Sequence, residues 1–190
     1  SHSSTSISGS AFGDTLIGDG NSNTIIGGGG NDFIDGGGSG DIAVFSGAQA
    51  QYTITTGAGG QTTVQDNTPG RDGTDTLVNV EVLQFSDANV LIASGTSANP
   101  VDLSDNRLFF GPTTSPLTSG TGTTDDFVKI HPGLSNHLID LGAGSNDTVI
   151  LGVTGGYTLK LANVEHLIGS AGDDFAALVN NASGLTVDMG

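Results

Sequence analysis

Four oxygen-bearing side chains recur at nine-residue intervals near the start of the chain, and their types and spacing suit the binding of a metal ion. They are Asp14, Asn23, Asp32 and Asp41. Carboxylate and amide oxygens are the ligands that hard divalent cations prefer. The chain has no cysteine, so thiolate metal sites and disulfides are excluded, and any bound ion has to be held by oxygen atoms.

These side chains lie in four tandem units that each begin with glycine. The units read GSAFGDTLI, GDGNSNTII, GGGGNDFID and GGGSGDIAV. Asp or Asn stands sixth in each, and the eighth place holds Leu16, Ile25, Ile34 or Ala43. Glycine allows the first six residues to turn with positive φ, while the last three predict a short strand whose middle side chain faces inward.

The repeat resembles G-G-x-G-x-D-x-U-x, the signature of the RTX or hemolysin-type family of secreted bacterial proteins. The resemblance covers residues 9–44, and the third unit, from Gly27, matches every fixed place. It implies a right-handed parallel β-roll in which two units form one coil. Each sixth-place side chain is then expected beside the one 18 residues later, with Ca²⁺ between the loops.

The resemblance implies two calcium sites, built from main-chain carbonyls and sixth-place side chains. The first site would use Ser10, Phe12, Asp14, Gly27, Gly29 and Asp32. The second would use Asp19, Asn21, Asn23, Gly36, Gly38 and Asp41. Asn23 replaces the usual Asp and removes one charge, so the second site is expected to be the weaker. The alternatives are a glycine-rich linker that binds nothing, which the regular spacing disfavours, and an EF-hand, which lacks the required glycine and glutamate.

The remaining chain predicts three further segments after a β-roll at 1–44. Residues 45–94 alternate like strands and resemble the β capping segment that follows RTX repeats, with Phe45, Tyr52 and Phe85 in its core. Residues 95–119 are rich in Ser, Thr and Pro and predict a linker, within which the apolar cluster 107–110 is expected to dock. Residues 120–190 predict a second parallel β repeat segment with a shift of 48 residues, ending within a repeat as a fragment would.

Five more aspartates are weaker candidates for calcium ligands. A solvated turn is an equally good interpretation for each of them. They are Asp72, Asp75, Asp126, Asp147 and Asp174.

Charge and motif content exclude several classes of function. The net charge is −16, which disfavours nucleic acid as a partner, and no apolar run is long enough to insert in a membrane. No G-x-S-x-G, P-loop or H-E-x-x-H motif occurs, so any catalytic domain is expected outside this chain. The sequence therefore predicts an all-β, calcium-binding segment of a larger secreted or cell-surface bacterial protein. The alternatives are a polysaccharide-binding accessory module and a self-associating adhesin or surface-layer element.

Overall fold

The computed structural model describes residues 5–93, 95, 100–103, 116–119, 123–130, 137–152, 155–170, 172–178 and 184–189. These residues form β-strands and two short 3-10 helices, Gln49–Gln51 and Ala58–Gly60. The chain divides into two compact units, Ser1–Ala88 and Asn89–Gly190. Each unit is a β-solenoid of stacked parallel strands, which confirms the predicted all-β fold and its parallel β-roll.

The first unit stacks its strands on two faces of the solenoid. One face is built from β1 (Thr5–Ser8), β3 (Asn23–Ile26), β5 (Ile42–Val44) and β9 (Val82–Gln84), paired in parallel in that order. The other face is built from β2 (Thr15–Ile17), β4 (Phe33–Asp35) and β8 (Thr74–Val78), also parallel. The early strands alternate between the faces, so two nonapeptides make one coil.

The eighth-place residues of the repeat fill the interior of this unit. Ile25 lies between Ile7 and Ala43 in the strand register, and Ile34 lies between Leu16 and Leu77. Ile25, Ile34 and Ala43 are almost fully buried. The short strands bury only one side chain each at their centre, so the turns between them decide whether the coils stack.

A hairpin interrupts the coils after β5 and packs an aromatic cluster. Strand β6 (Tyr52–Thr56) pairs antiparallel with β7 (Thr62–Asp66), and β7 pairs antiparallel with β8. The rings of Phe45, Tyr52 and Phe85 lie 4.9–5.5 Å apart between centroids, which confirms them as core residues. The segment after the repeats therefore both carries the hairpin and adds β8 and β9 to the two parallel sheets.

The second unit repeats the two-faced arrangement. Its first face comprises β10 (Asn89–Leu91), β12 (Leu117–Ser119), β14 (Leu138–Asp140), β16 (Gly156–Ala162) and β18 (Phe175–Leu178). Its second face comprises β11 (Val101–Asp102), β13 (Phe127–Ile130), β15 (Thr148–Leu151), β17 (His166–Ile168) and β19 (Thr186–Asp188). Two of these strands, β11 and β12, fall in the segment whose composition predicts a linker, while the cluster 107–110 lies outside the described residues.

The expected 48-residue shift is not how the second unit stacks. Val128 pairs with Val149, 21 residues later, and Val149 pairs with Leu167. Strands β13 and β18, which the shift would superpose, lie on different faces. Each coil therefore spans close to the 18 residues of a nonapeptide pair, with variation in its turns. None of the helices in the described residues has the length and apolar character needed to cross a membrane.

Candidate functional site

The sixth-place residues of the repeat form two columns of carboxylates along the first unit. In the first column, the N–H of Asp14 donates to Oδ1 of Asp32 at 2.8 Å. The N–H of Asp32 in turn donates to Oδ1 of Asp75 at 2.8 Å, 43 residues further on. The predicted proximity of Asp14 and Asp32 is observed, and Asp75, one of the weaker candidates, extends the same column by one coil.

The second column has the same geometry with one substitution at each end. The N–H of Asn23 donates to Oδ1 of Asp41 at 2.6 Å, and the N–H of Asp41 donates to Oε2 of Glu81 at 2.7 Å. The amide of Asn23 thus takes the place of a carboxylate at the lower end. Glu81 at the upper end is a residue that the nonapeptide spacing does not predict.

A third column of the same kind runs through the second unit. The N–H of Asp126 donates to Oδ1 of Asp147 at 2.7 Å, and the N–H of Asp147 donates to Oε2 of Glu165 at 2.9 Å. Asp126 and Asp147 were both sequence candidates, and both are fully buried. Glu165, like Glu81, was missed because it stands outside any RTX-like nonapeptide.

One carboxylate oxygen in the middle of each column lacks a hydrogen-bond partner. These atoms are Oδ2 of Asp32, Asp41 and Asp147, in side chains that are 3%, 0% and 0% exposed. Among the residues that the structure describes, Thr24 Oγ1 is the other buried side-chain atom left in this state. A buried oxygen that carries charge and meets no donor is costly unless a cation or a proton neutralises it.

Burial and mutual repulsion raise the pKa values of these carboxyls. Burial, followed by the charges of Glu81 and Asp19, raises the pKa of Asp41 to about 8. Burial, with the charge of Asp32, raises the pKa of Asp75 to about 7. The pKa of Asp32 is also raised, mainly by burial, and that of Glu81 rises to about 7 for the same reason. The columns thus bind a positive charge readily, either as protons or as a metal ion.

Main-chain carbonyls meet the column side chains at the first glycine of each unit. A Cβ placed on Gly9 would lie 2.8 Å from Oδ2 of Asp14 and closer still to the carbonyl oxygen of Gly27. At Gly18, a Cβ would contact both Oδ1 of Asn23 and the carbonyl oxygen of Gly36. A side-chain oxygen and a carbonyl oxygen of the next coil therefore converge at each first place.

The other predicted ligand residues lie in the turns around this convergence. The carbonyl oxygens of Ser10 and Asp19 accept the N–H groups of Gly29 and Gly38, each at 2.9 Å, so second-place and third-place residues are adjacent across coils. The Phe12 side chain is 77% exposed, which leaves its carbonyl as the group relevant to a site. The two sets of predicted residues are thus gathered in two groups of stacked turns.

Hydrogen bonds within the lower turns hold the column side chains in place. Oδ2 of Asp14 accepts the N–H of Ser10 at 2.6 Å and the Ser10 hydroxyl at 2.8 Å. Oδ1 of Asn23 accepts the N–H of Asp19 at 2.9 Å. The carboxylate of Asp19 accepts the N–H of Asn21, and this bond is the largest cause of the lowered pKa of Asp19. Asp174 in the second unit bonds to Ser170 in the manner of Asp14 and Ser10.

Asp72 has a different role from the column residues. It accepts the N–H and the hydroxyl of Ser46, at 2.8 and 2.7 Å, and the hydroxyl of Tyr52. Next to it, the Arg71 guanidinium makes two hydrogen bonds to Asp66 at 2.6 and 2.7 Å and lies 4.9 Å from the centre of the Tyr52 ring. Asp72 therefore ties the hairpin to the solenoid.

The donor set defines which metal these turns could hold. Among the described residues, no three His, Asp or Glu side chains form a metal-binding group of their own. Carbonyl oxygens would have to complete any site, which is the mixed oxygen ligation that Ca²⁺ accepts and that transition metals do not favour. The unpartnered buried oxygens of Asp32 and Asp41 fit such an ion.

Comparison with known proteins does not supply a relative for these columns. No protein-family model matches the chain, and no curated protein matches it.

Proposed function

We propose that this chain is a calcium-binding segment of the RTX type, part of a larger secreted or cell-surface bacterial protein, and that it orders on meeting extracellular Ca²⁺. The observation that carries the proposal is the pair of buried oxygens, Oδ2 of Asp32 and Oδ2 of Asp41, that no donor reaches. A cation is the species that two stacked columns of acids need, because protonation is weak at neutral pH for most carboxyls.

Two nonapeptide sites follow from the stacked turns. The first would draw on the carboxylates of Asp14 and Asp32, whose turns are adjacent. The second would draw on Asp41 and the amide oxygen of Asn23. Since Asn23 carries no charge, the second site is expected to bind Ca²⁺ more weakly than the first.

Ion binding and folding are coupled in this proposal. Each short strand buries little apolar surface, and stacking like charges opposes coil formation when no cation is present. Ca²⁺ at about 0.1–1 mM, the range in which extracellular calcium modules bind, would reverse that repulsion. The segment would stay unfolded at cytosolic calcium, where it can be exported, and would then fold outside to support secretion, stability or adhesion.

A calcium titration of the whole chain by far-UV circular dichroism tests the proposal. We expect β signal to appear as Ca²⁺ is added, and a much smaller gain with Mg²⁺, which tolerates this mixed and flexible ligation poorly. In the variant Asp32→Asn, an Oδ1 atom remains to accept the Asp14 N–H while the charge is removed. Its calcium midpoint should rise by about tenfold or more.

Asp87→Asn is the matched control for this titration. Asp87 is exposed, lies outside the columns and accepts the N–H of Gln49 at 2.8 Å, a bond that an asparagine oxygen can keep. It removes the same charge, and its calcium midpoint should stay within about twofold of the unmodified chain. No gain of β signal with Ca²⁺, or an equal gain with Mg²⁺, would overturn the proposal.

No described residue favours the polysaccharide-binding alternative. Sugar sites commonly present exposed aromatic faces, but Tyr52 and Tyr157, the two tyrosines of the chain, are 8% and 1% exposed. Self-association as an adhesin or surface-layer element is compatible with calcium binding and would appear as calcium-dependent oligomers in sedimentation experiments.

A further inference from the structure

The same three-residue turn, Asn-Val-Glu, occurs once in each unit and closes a carboxylate column in both. Asn79 and Asn163 begin the two turns with φ of 50° and 51°. The Asn79 amide donates to Oδ1 of Asp35 at 2.8 Å, and the Asn163 amide donates to Oδ1 of Asp140 at 2.7 Å. Two units with little other sequence in common thus build an identical local structure.

The glutamate of this turn occupies the place of a sixth-place aspartate. The main-chain N–H groups of Glu81 and Glu165 donate to the carbonyl oxygens of Asp41 and Asp147, at 3.1 and 3.0 Å. Their carboxylates accept the N–H groups of the same two aspartates. In the first unit the turn is shorter than the nonapeptide loop beneath it, so the longer glutamate side chain is needed to reach the column.

An unpartnered buried oxygen lies beside each of these glutamates. Oδ2 of Asp41 and Oδ2 of Asp147 belong to fully buried side chains and meet no donor. In the first unit, a Cβ on Gly36 would lie 2.6 Å from Oδ2 of Asp41 and closer still to the carbonyl oxygen of Asn79. This repeats the convergence at Gly9 and Gly18, with Asn79 in place of a first-place glycine.

We infer that the Asn-Val-Glu turn supplies a further Ca²⁺ site that lies outside the nonapeptide pairs. Its ligands in the first unit are the Glu81 carboxylate, Oδ2 of Asp41 and the carbonyl oxygen of Asn79. Glu165 and Asp147 form the counterpart in the second unit. The inference rests on the proposed function, because it takes Ca²⁺ to be the ion that the columns bind.

The number of bound calcium ions, counted by native mass spectrometry on the whole chain, tests this inference. Glu81→Gln and Glu165→Gln each keep an oxygen that can accept the aspartate N–H but remove the charge. We expect each variant to lose one ion at a calcium concentration that saturates the unmodified chain, and the double variant to lose two. Asp87→Asn, the exposed control, should lose none.

The outcomes separate this inference from the proposed function. If the unmodified chain binds no Ca²⁺, the proposed function fails and the inference fails with it. If it binds Ca²⁺ and both glutamine variants keep the full count with affinities within about twofold, the inference alone is overturned. Glu81→Asp keeps the charge and shortens the reach, so it too should lose an ion.

Circular dichroism in saturating Ca²⁺ establishes that each variant is folded before ions are counted. Should Glu81→Gln fail to fold, Glu165→Gln decides the outcome by itself, because it lies in the other unit.

Discussion

The N–H of Asp32 donates to the carboxylate of Asp75 across 43 residues of intervening chain. The hairpin β6–β7 occupies most of that interval, yet the chain returns in register, so that Ile34 pairs with Leu77. Gly73, with φ of 87°, stacks on Gly30, with φ of 105°. The segment 71–77 is therefore a further turn of the repeat, separated from the others by an insertion.

Replacing Asp75 should separate its role as an acceptor from its charge. Asp75→Ala leaves the buried N–H of Asp32 without a partner, and the free energy of unfolding should fall by about 1–3 kcal/mol. Asp75→Asn keeps the acceptor and removes a charge that the column disfavours, so in chelator it should be less destabilising than alanine. Urea unfolding of both variants measures the difference, and equal losses would contradict the assigned role of the Asp75 carboxylate.

The regular part of the fold could be predicted from sequence because it depends on local pattern. The nonapeptide spacing places Asp14 beside Asp32 and turns Ile25 and Ile34 inward, as observed. The predicted strand Tyr52–Thr56 is also observed with the same bounds. Each of these follows from residues that are close in the sequence or fixed by one period.

The column ends could not be predicted in the same way. Asp75 and Glu81 reach their columns only after the hairpin, so no fixed period links them to Asp32 and Asp41. Strand β8 was missed because Asp-Gly-Thr-Asp indicates a turn, and its strand follows only from pairing with β4. The signal that could have found Glu81 and Glu165 is the recurrence of Asn-Val-Glu at 79–81 and 163–165.

Lowering the pH should stabilise the fold when Ca²⁺ is removed. Burial raises the pKa of Asp41 to about 8, of Asp75 and Glu81 to about 7, and of Asp147 to about 6. Since these values exceed those of the unfolded chain, the folded state binds protons more tightly. Its stability is then greatest below the ordinary carboxyl pKa and is lost as the pH rises through about 6 to 8.

Thermal unfolding in chelator at several pH values checks this dependence. The melting temperature should increase between mildly alkaline and mildly acidic buffer. Only in much stronger acid should the Asp66 interaction with Arg71 weaken. Burial opposes the ionised form of Asp66, but hydrogen bonds from Arg71 and neighbouring N–H groups outweigh it and lower its pKa to about 2. A melting temperature that falls steadily from alkaline to mildly acidic buffer would contradict the pKa assignments.

Gly28 and Gly20 should respond differently to alanine. Gly28 has φ of 98°, and a Cβ there would collide with the carbonyl oxygen of Ser10, whereas a Cβ on Gly20 meets nothing within 4 Å. Gly28→Ala should therefore lower the free energy of unfolding by roughly 1–3 kcal/mol even in saturating Ca²⁺. Gly20→Ala should change it little. Equal effects in chemical unfolding would show that the turns are not fixed as described.

The hydroxyl of Tyr52 should contribute to the attachment of the hairpin. It donates to Asp72 and accepts the N–H of Gly47 at 2.8 Å, while its ring packs against Phe45 and Phe85. Tyr52→Phe keeps the ring and removes both hydrogen bonds, so the free energy of unfolding should fall by about 1–3 kcal/mol. The calcium midpoint should change only in proportion to that loss of stability. An unchanged unfolding curve would contradict a structural role for the hydroxyl.

Phe12 distinguishes ligation by a carbonyl from a role for a side chain. Its ring is 77% exposed, so removing it leaves no cavity, and the expected ligand is its main-chain oxygen. Phe12→Ser should leave the free energy of unfolding within about 0.5 kcal/mol, as for other exposed substitutions. Its calcium midpoint in the dichroism titration should match that of the unmodified chain, whereas Asp32→Asn in the same site should shift it. If Phe12→Ser weakened calcium binding as strongly as Asp32→Asn, the aromatic side chain would have to belong to the site, and ligation through the carbonyl would be wrong.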